Sequence, residues 1–562
     1  MSSRCSDYDY VLKNPSNLSI ETKSTLRTQI DLEIAELKNR LHYLATARNV
    51  LAPIDGLPHE ILEKIFALVQ VGVKGRVSAK RILPSSWVSH KWREVALGYP
   101  LLWDHIDHSN SCWASHCLTR SKNTPLFVDL PVQAIQKFGV EGRLTKERLL
   151  GELPRCRQLN LGGELDDHRD LDDWVEHTIC HIPDEIAKSE SPQRNPIHED
   201  LPINSVSLLH TLRFDGLELY QNWDVSTISS RITLQSLTKL QLKDCDLIWE
   251  EVLVPSLRTI HIEAPDPRIS ISDLLQHLSR IPLLEDIILV SVLSTENEAI
   301  EGGREPCHVA LPNLTSFKVG DEAGPMAGLL NNVTIPLHAS LSMAIPRRSS
   351  QWMQHLLPCI TFIGERFNST QLLDIVAISQ NGSGHISLGF GHRGTGGITE
   401  QTTLQVSGDP WDTYSFRHIF EIFSHLSLRG VRQLHVKGRW HLLEEGFNSF
   451  VRLLETMPNV EELLFQDYAG AQMLESLAST PTTSFPPPGL SRITFAKIYS
   501  ALKHGALVRS QIEELVSRRQ NSHVKMILKD PDLNREGLEF WEQVFDEIYA
   551  EEANCPFFSD AD

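Results

Sequence analysis

The sequence predicts an α/β protein in which an N-terminal helix and a small helical module precede a solenoid with a curved sheet and outer helices. Two observations favour this architecture. Apolar residues of the N-terminal part recur at helical spacing, and a short strand-like pattern then recurs at a nearly constant interval through most of the 562 residues. A chain this long needs several cores or a repeat array, because one small core cannot cover its apolar surface.

Composition argues against several classes of protein. Hydrophobic residues make up 41% and charged residues 22% of the chain, as in ordinary folded domains. The formal net charge of −19, without a stripe of Lys and Arg, argues against a nucleic acid partner. No early segment resembles a signal peptide and no apolar run could span a bilayer, so we expect no membrane partner. Nine scattered cysteines predict reduced thiols and a cytoplasmic or nuclear location.

The N-terminal residues 1–20 are polar, and we expect them to be disordered. Residues 21–52 predict an amphipathic, coiled-coil-like helix, because apolar side chains recur three and four residues apart on one face. This stripe either dimerises the protein as a short coiled coil or packs against a neighbouring part of the same chain. A seam of about two to three heptads is short for a coiled coil, which favours the second interpretation. The stripe consists of Leu26, Ile30, Ile34, Leu37, Leu41 and Leu44.

A second helical segment lies in a module that we place at residues 53–108. Pro53 ends the first helix because it has no backbone N–H to donate, and Pro58 is tolerated in the first turn of the next helix. The segment Glu60–Val69 is apolar over more than half of the helix circumference. A helix this short buries one side within its own module, and its other apolar side needs a second surface. The surplus predicts a protein partner.

Three motifs in this region resemble the F-box. The segment Pro53–Phe66 has the apolar and proline pattern of the start of an F-box, with Leu-Pro followed by Glu-Ile-Leu and Ile-Phe. Trp87–Ala96 and Tyr99–Trp103 are similar to its second half, with Ser89 where the family usually has Cys. The tract Cys117–Leu126 is similar to the segment after the F-box in a large group of fungal F-box-like proteins. Three motifs in the family's order make the resemblance specific.

The resemblance implies an adaptor function. F-box proteins bind a Skp-family linker, which attaches them to a cullin scaffold, and the assembly acts as a ubiquitin ligase. This chain would select a protein target and perform no chemistry, so we expect a non-catalytic subunit. The alternatives are an interaction scaffold that binds a linker without a cullin and, from another class, an enzyme with dispersed catalytic residues. The resemblance assigns linker docking to Leu57, Pro58, Ile61, Leu62, Ile65 and Phe66, whereas Trp87, Val88, Trp92 and Trp103 are expected to hold the module together or join it to the repeats.

Residues 109–540 carry a recurrent tract with apolar residues at its first, fourth and sixth positions. Most copies follow one another after 20 to 30 residues, which is close to the period of leucine-rich repeats. The alternation suits a short strand that points leucines into a core, so we expect a divergent leucine-rich-repeat-like domain. The copy that starts at Leu237 also has Cys245 where such repeats often carry Asn or Cys. The copies start at Cys156, Leu209, Leu237, Leu257, Leu284, Leu314, Val431, Val460 and Leu490, with a last one near Val524–Leu528.

The segments between copies predict helices on the outside of the sheet. Ile271–Leu278 and Phe447–Leu454 have helical spacing and fit that position. The centre of the region diverges, and between residues 320 and 431 only Ile386–Leu388 and Leu404–Val406 are predicted as strands.

The C-terminal segment predicts a cap for the array. An aromatic helix over Leu538–Tyr549 would cover the apolar end of the last repeat, so residues 541–562 are assigned to the end of this helix and an acidic tail.

Side chains between the inward leucines are expected to face the concave side of the sheet. We predict that they bind an unknown protein target, although each of them would also suit an ordinary solvated strand. These residues are Arg213, Gln241, Lys243, His261, Glu263, Lys318, His435 and Lys437.

Two motifs raise the question of a cofactor or metal, and neither supports one. Gly389–Gly394 matches the dinucleotide-binding glycine pattern, but the following residues are poor helix formers, and a phosphate site needs a helix N-terminus there. A glycine-rich loop between strands is the better interpretation. A second cluster has zinc-binding residue types but lacks the paired spacing of structural zinc sites. That cluster is His105, His108, Cys112, His116 and Cys117.

Overall fold

The chain is α/β, with an N-terminal helix and a large, mostly parallel sheet. It divides into two compact units, one of residues 1–157 and 165–193 and the other of residues 158–164 and 194–562. The predicted disordered segment lies outside the described residues, except for Ser19 and Ile20. The computed structural model describes residues 19–70, 84, 86–106, 111–130, 148–149, 151–161, 208–215, 234–245, 248–294, 307–346, 352–368, 373–380, 386–394, 397–407, 422–438, 445–467, 469–470, 472–473, 489–497, 524–529 and 545–549.

The first helix, α1, spans Ile20–Val50 and confirms the predicted helix to within two residues. Ser19 caps it, since its hydroxyl oxygen accepts a hydrogen bond from the backbone N–H of Thr22 at 3.2 Å. None of the residues of α1 is buried. The favoured prediction, that its apolar stripe packs against a neighbouring part of the chain, is therefore wrong within the described residues.

A small helical module follows α1 in the first unit. Its core is apolar and centres on Phe66, Trp103 and Trp113, all of them buried. Two short parallel strands, β1 and β2, pair in this unit. The elements are a 3-10 turn at Pro53–Gly56, α2 at His59–Gln70, α3 at His90–Gly98, a 3-10 turn at Pro100–Leu102, β1 at His105–Ile106, α4 at Ser111–Arg120 and β2 at Leu126–Leu130.

The second unit contains the large sheet. From β3 to β7 the strands pair in chain order and in parallel, and the sheet continues through β9, β11 and β14. After the pair β13 and β12 it continues in parallel from β15 to β19. The strands are β3 Cys156–Leu161, β4 Thr211–Asp215, β5 Lys239–Lys243, β6 Thr259–Glu263, β7 Asp286–Val290, β9 Ser316–Gly320, β11 Ser340–Pro346, β12 Ile375–Gln380, β13 Ile386–Gly394, β14 Gly397–Ser407, β15 Gln433–Gly438, β16 Glu462–Gln466, β17 Arg492–Ala496, β18 Lys525–Lys529 and β19 Glu547–Tyr549, with a separate parallel pair of β8 Val309–Ala310 and β10 Val333–Thr334.

The register of the sheet follows the recurrent tract. Each fourth-position residue pairs with the fourth-position residue of the next strand, and its side chain is buried. The predicted strands of the repeat region are thus confirmed, because each tract buries its alternate apolar residues on the same face of the sheet. The aligned buried rows are Leu159, Leu212, Leu240, Ile260, Ile287, Phe317 and Leu341, and then Leu434, Leu463, Ile493 and Met526.

Helices lie between several strands of the second unit. The predicted helices at Ile271–Leu278 and Phe447–Leu454 are confirmed, with slightly wider bounds. Ser270 caps one of them by accepting a hydrogen bond from the N–H of Asp273 at 3.1 Å. These helices are α5 Trp249–Val252, α6 Ile271–Ser279, α7 Ala323–Asn331, α8 Trp352–Asn368 and α9 Glu445–Glu455.

The divergent centre of the sheet is antiparallel. Strand β13 pairs antiparallel with both β12 and β14, whereas β11 pairs in parallel with β14. The two strands predicted in this region are confirmed as parts of β13 and β14. The glycine-rich stretch Gly389–Gly394 belongs to β13 itself, so the predicted loop is wrong.

The C-terminal end differs from the predicted cap. Glu547–Tyr549, assigned to the end of a helix, forms β19 and pairs with Ile527–Lys529 of β18. Adding a strand to the sheet edge satisfies backbone groups that a helix would leave exposed. Residues 538–544 and the acidic tail from residue 550 lie outside the described residues.

A left-handed residue directly follows several parallel strands. Asp244, Ala264 and Ser291, after β5, β6 and β7, have φ of 48°, 45° and 53°. The N–H of Ala264 donates to the carbonyl oxygen of Val290 on the next strand at 2.8 Å, and Asp244 makes the equivalent bond at 2.9 Å. The same turn recurs after β16 and β17, where Asp467 and Lys497 have φ of 60° and 52°. Strands at both ends of the sheet therefore end in one repeated turn.

Candidate partner-binding surfaces

Helix α2 has two apolar sides with different environments. Leu62 and Phe66 are fully buried, whereas Ile61 is 40% exposed and Leu68 is 75% exposed. Side chains three and four residues apart lie on the same side of a helix, so the exposed residues form one outward stripe. We call this the outer stripe; it consists of the exposed Pro58, Ile61 and Leu68 together with the half-buried Ile65.

Two of the six residues predicted to dock the linker lie on the buried side of α2. Leu62 and Phe66 were assigned to linker docking, but both pack inside the module. The ring of Phe66 meets that of Trp92 edge to face, with ring centroids 5.3 Å apart. Removing them from the core to reach a partner would cost the burial energy of two large side chains. The other predicted residues, Leu57, Pro58, Ile61 and Ile65, are half-buried or exposed.

An exposed apolar pair, Trp87 and Val88, lies just before α3. The adjoining residues are fixed beside the start of α2: the Ser89 hydroxyl donates to Asp55 Oδ1 at 3.1 Å, and Lys91 Nζ donates to the carbonyl oxygen of Leu57 at 2.8 Å. Trp87 and Val88 were predicted to hold the module together or join it to the repeats, but about half of each side chain is exposed. They extend the exposed apolar surface near the N-terminal end of α2.

Trp103 holds the module together, as predicted. Its Nε1 donates to the carbonyl oxygen of Ala96 at 2.8 Å, and its ring lies 5.4 Å from that of Trp113. The guanidinium of Arg120, the last residue of α4, lies 5.1 Å from the centre of the Trp103 ring. The tract Cys117–Leu126 thus ends α4 and leads into β2, and its contacts are structural.

Arg155 fixes the end of this tract through hydrogen bonds. Its guanidinium donates to the carbonyl oxygen of Thr124 at 2.7 Å and to the hydroxyl oxygen of Ser121 at 3.2 Å, and its Nε lies 2.6 Å from a carboxylate oxygen of Glu152. These charge-assisted bonds fix the turn between α4 and β2.

A polar row lies on the face of the sheet opposite the buried leucines. Arg213, Gln241 and His261 are direct neighbours on β4, β5 and β6. Lys243 and Glu263 form the next row, with Lys243 Nζ 3.4 Å from a carboxylate oxygen of Glu263. Lys318 continues the first row on β9, after Ile288 of β7. The structure therefore brings six of the predicted target-binding residues onto one surface.

The other two predicted target-binding residues lie elsewhere on the sheet. His435 and Lys437 are on β15, between Ala377 and Ser379 of β12 and the residues of β16. Strands β11 to β14 separate them from the Arg213 row. One small ligand surface cannot include both groups.

The environment of His261 is cationic. Burial lowers the pKa of His261 from its ordinary value of 6.5; Arg213, Lys243 and Lys239 lower it further, and Glu263 acts in the opposite direction. The imidazole is therefore neutral at neutral pH, and Lys239 joins the predicted residues of this patch. Sequence reasoning missed Lys239 because it lies at the start of its strand, before the alternation is established.

His105, one of the residues that suggested a metal site, has structural contacts instead. His105 Nδ1 lies 2.6 Å from Asp104 Oδ1, and its ring stacks on Phe127 with centroids 4.5 Å apart. Among the described residues no group of three or more His, Cys, Asp or Glu side chains could hold a metal ion. Burial raises the pKa of the Cys156 and Cys359 thiols to about 12, which makes them unreactive at neutral pH.

Comparison with known proteins found no relative of this chain. No family model, no curated protein and no solved structure matches this chain. In the part of the chain that the structure describes, no helix has the length and apolar character to cross a membrane.

Proposed function

We propose that this chain is the substrate-recognition adaptor of a Skp–cullin–F-box ubiquitin ligase, a non-catalytic subunit that works in the cytoplasm or nucleus. Its α2 surface, the outer stripe with Trp87 and Val88, binds a Skp-family linker, and its sheet face binds a protein target. The single observation that supports the proposal is the outer stripe, because Ile61 and Leu68 remain exposed while Leu62 and Phe66 fill the core. The outer stripe agrees with the resemblance of the surrounding motifs to an F-box.

The energetics of docking favour an anchor of this kind. Fully burying an aliphatic side chain is worth about 1.5–3 kcal/mol, so covering the exposed parts of Ile61, Leu68 and Val69 contributes several kcal/mol. Association costs roughly 4–15 kcal/mol, so a linker needs further contacts. Trp87 supplies one, since large aromatic side chains contribute strongly to protein interfaces.

We further propose that the large sheet belongs to a divergent leucine-rich-repeat solenoid. The aligned apolar rows and the repeated left-handed turn after each of several strands support this proposal. The patch of Arg213, Gln241, Lys243, His261 and Glu263 has the mixed polar and charged character common at the rims of protein interfaces. The target itself is a protein of unknown identity.

Affinity capture with purified components tests the proposal. The full chain is immobilised and incubated with a Skp-type linker, alone and with a cullin. We expect capture of both, and expect Ile61→Ala with Leu68→Ala to reduce linker capture at least tenfold. The matched control is Leu283→Ala with Leu337→Ala, two exposed leucines of the second unit, which should leave capture unchanged.

The outcomes separate the candidate functions. Capture of the linker without the cullin would support the interaction scaffold and contradict the ligase adaptor. Absence of linker capture by the wild-type chain would contradict both the adaptor and the scaffold. Equal effects of the two double variants would show that the outer stripe is not the docking surface. Circular dichroism of each variant confirms that the fold is retained.

A further inference from the structure

Helix α1 carries an apolar seam that no other part of the described chain covers. Leu37 is 51% and Leu41 is 69% exposed, and none of the residues of α1 is buried. At 1.5 Å per residue, the 31 residues of α1 make a rod of about 46 Å. Helices in proteins gain most of their stability from packing an apolar face, so a rod of this length needs a partner along its side.

The apolar seam follows a heptad pattern through the middle of the helix. Core positions recur in alternating steps of three and four residues, and most of them are Ile or Leu. The apolar part of the seam runs from Ile30 to Leu44, and the core positions on either side of it are Arg27 and Arg48. Taking Ile34 as the first core position of a heptad, the core positions from residue 27 to the end of the helix are Arg27, Ile30, Ile34, Leu37, Leu41, Leu44 and Arg48.

One pair of charges beside the seam favours a second copy of this chain as the partner. In this register Glu33 precedes the core residue Ile34, and Lys38 follows the core residue Leu37. In a parallel pair of identical helices, the residue before one core position faces the residue five places later on the other helix, so Glu33 of each copy faces Lys38 of the other. We propose that α1 forms a parallel two-stranded coiled coil with α1 of a second copy of this chain. Two symmetric opposite-charge pairs then flank its centre.

The mass of the full chain in solution tests this proposal directly. Light scattering during size exclusion should give twice the chain mass of 63.5 kDa. Leu37→Glu with Leu41→Glu places charges in the seam and should return the mass to that of one chain. The matched control is Leu32→Glu with Tyr43→Glu, since these residues are 68% and 73% exposed on the same helix but lie off the seam. The control should remain a dimer. A monomeric wild-type chain, a dimeric seam variant or a monomeric control would each overturn the proposal.

A charge exchange tests the parallel arrangement. Glu33→Lys alone and Lys38→Glu alone each place like charges opposite one another and should weaken self-association by about tenfold. In a mixture of the two variants, every charge pair between unlike chains is again attractive. We expect the mixture to form heterodimers with wild-type affinity. Failure of the mixture to recover association would contradict the parallel pairing of α1 with itself.

Discussion

Two neighbouring residues of α2 should respond very differently to the same truncation. Leu62 is fully buried, whereas Ile61 beside it is 40% exposed. Leu62→Ala removes three carbon groups worth about 0.8 kcal/mol each and leaves a cavity, so we expect a loss of about 3 kcal/mol. Ile61→Ala removes the same number of groups, but from a side chain already partly in water, and leaves no closed cavity. Its expected cost is about 1 kcal/mol.

Hydrogen exchange along α2 measures this difference locally. A loss of about 3 kcal/mol should accelerate exchange of the α2 amides by more than a hundredfold in Leu62→Ala, against less than tenfold in Ile61→Ala. Linker binding should show the opposite selectivity after correction for stability, because only Ile61 belongs to the outer stripe. Equal acceleration by the two substitutions would refute the division of α2 into a core side and a docking side.

Three further predictions follow from individual residues. Ala264→Val should lower the melting temperature, since the left-handed φ of 45° costs a β-branched residue about 1–2 kcal/mol, while Ala264→Gly should be neutral or stabilising. Arg366→Met should cost about 3 kcal/mol in denaturant unfolding, because the buried guanidinium donates to four carbonyl oxygens, including those of Pro336 and Ala339. His261 has a lowered pKa, so the unfolded chain takes up its proton first as pH falls below 6.5, and stability should fall there. His261→Gln should weaken that pH dependence in melts between neutral and acidic pH, and an unchanged dependence would contradict the assignment.

The strands of the large sheet were predictable because their pattern is local and repeated. An apolar residue at the fourth position of each tract is enough to set the register, and Leu240, Ile260 and Ile287 align as the sequence indicates. The antiparallel centre was not predictable, since β13 contains three glycines, and its alternating Ile386, Leu388 and Phe390 mark a strand without indicating the direction of its neighbours. β19 was missed because three residues at a sheet edge carry no periodic signal.

The candidate site was predictable in type and only partly in detail. Motif matching placed an apolar surplus on α2, but it could not separate the core side from the outer side, so Leu62 and Phe66 were misassigned. Leu68 was missed because it lies beyond the matched motif. Trp87 and Val88 were expected to hold the module together or join it to the repeats, although both side chains are 45–50% exposed. Hydrogen bonds from Ser89 and Lys91 instead hold this segment at the surface, and such long-range contacts leave no sequence signal.

Calorimetric titration of the full chain with a purified Skp-type linker tests the docking surface most directly. Binding should occur at micromolar or tighter affinity with a negative heat-capacity change, the sign of apolar burial. Leu68→Glu should abolish it, since a charge would then face the covered stripe. Absence of binding by the unmodified chain, or undiminished binding by Leu68→Glu, would contradict a docking function for α2.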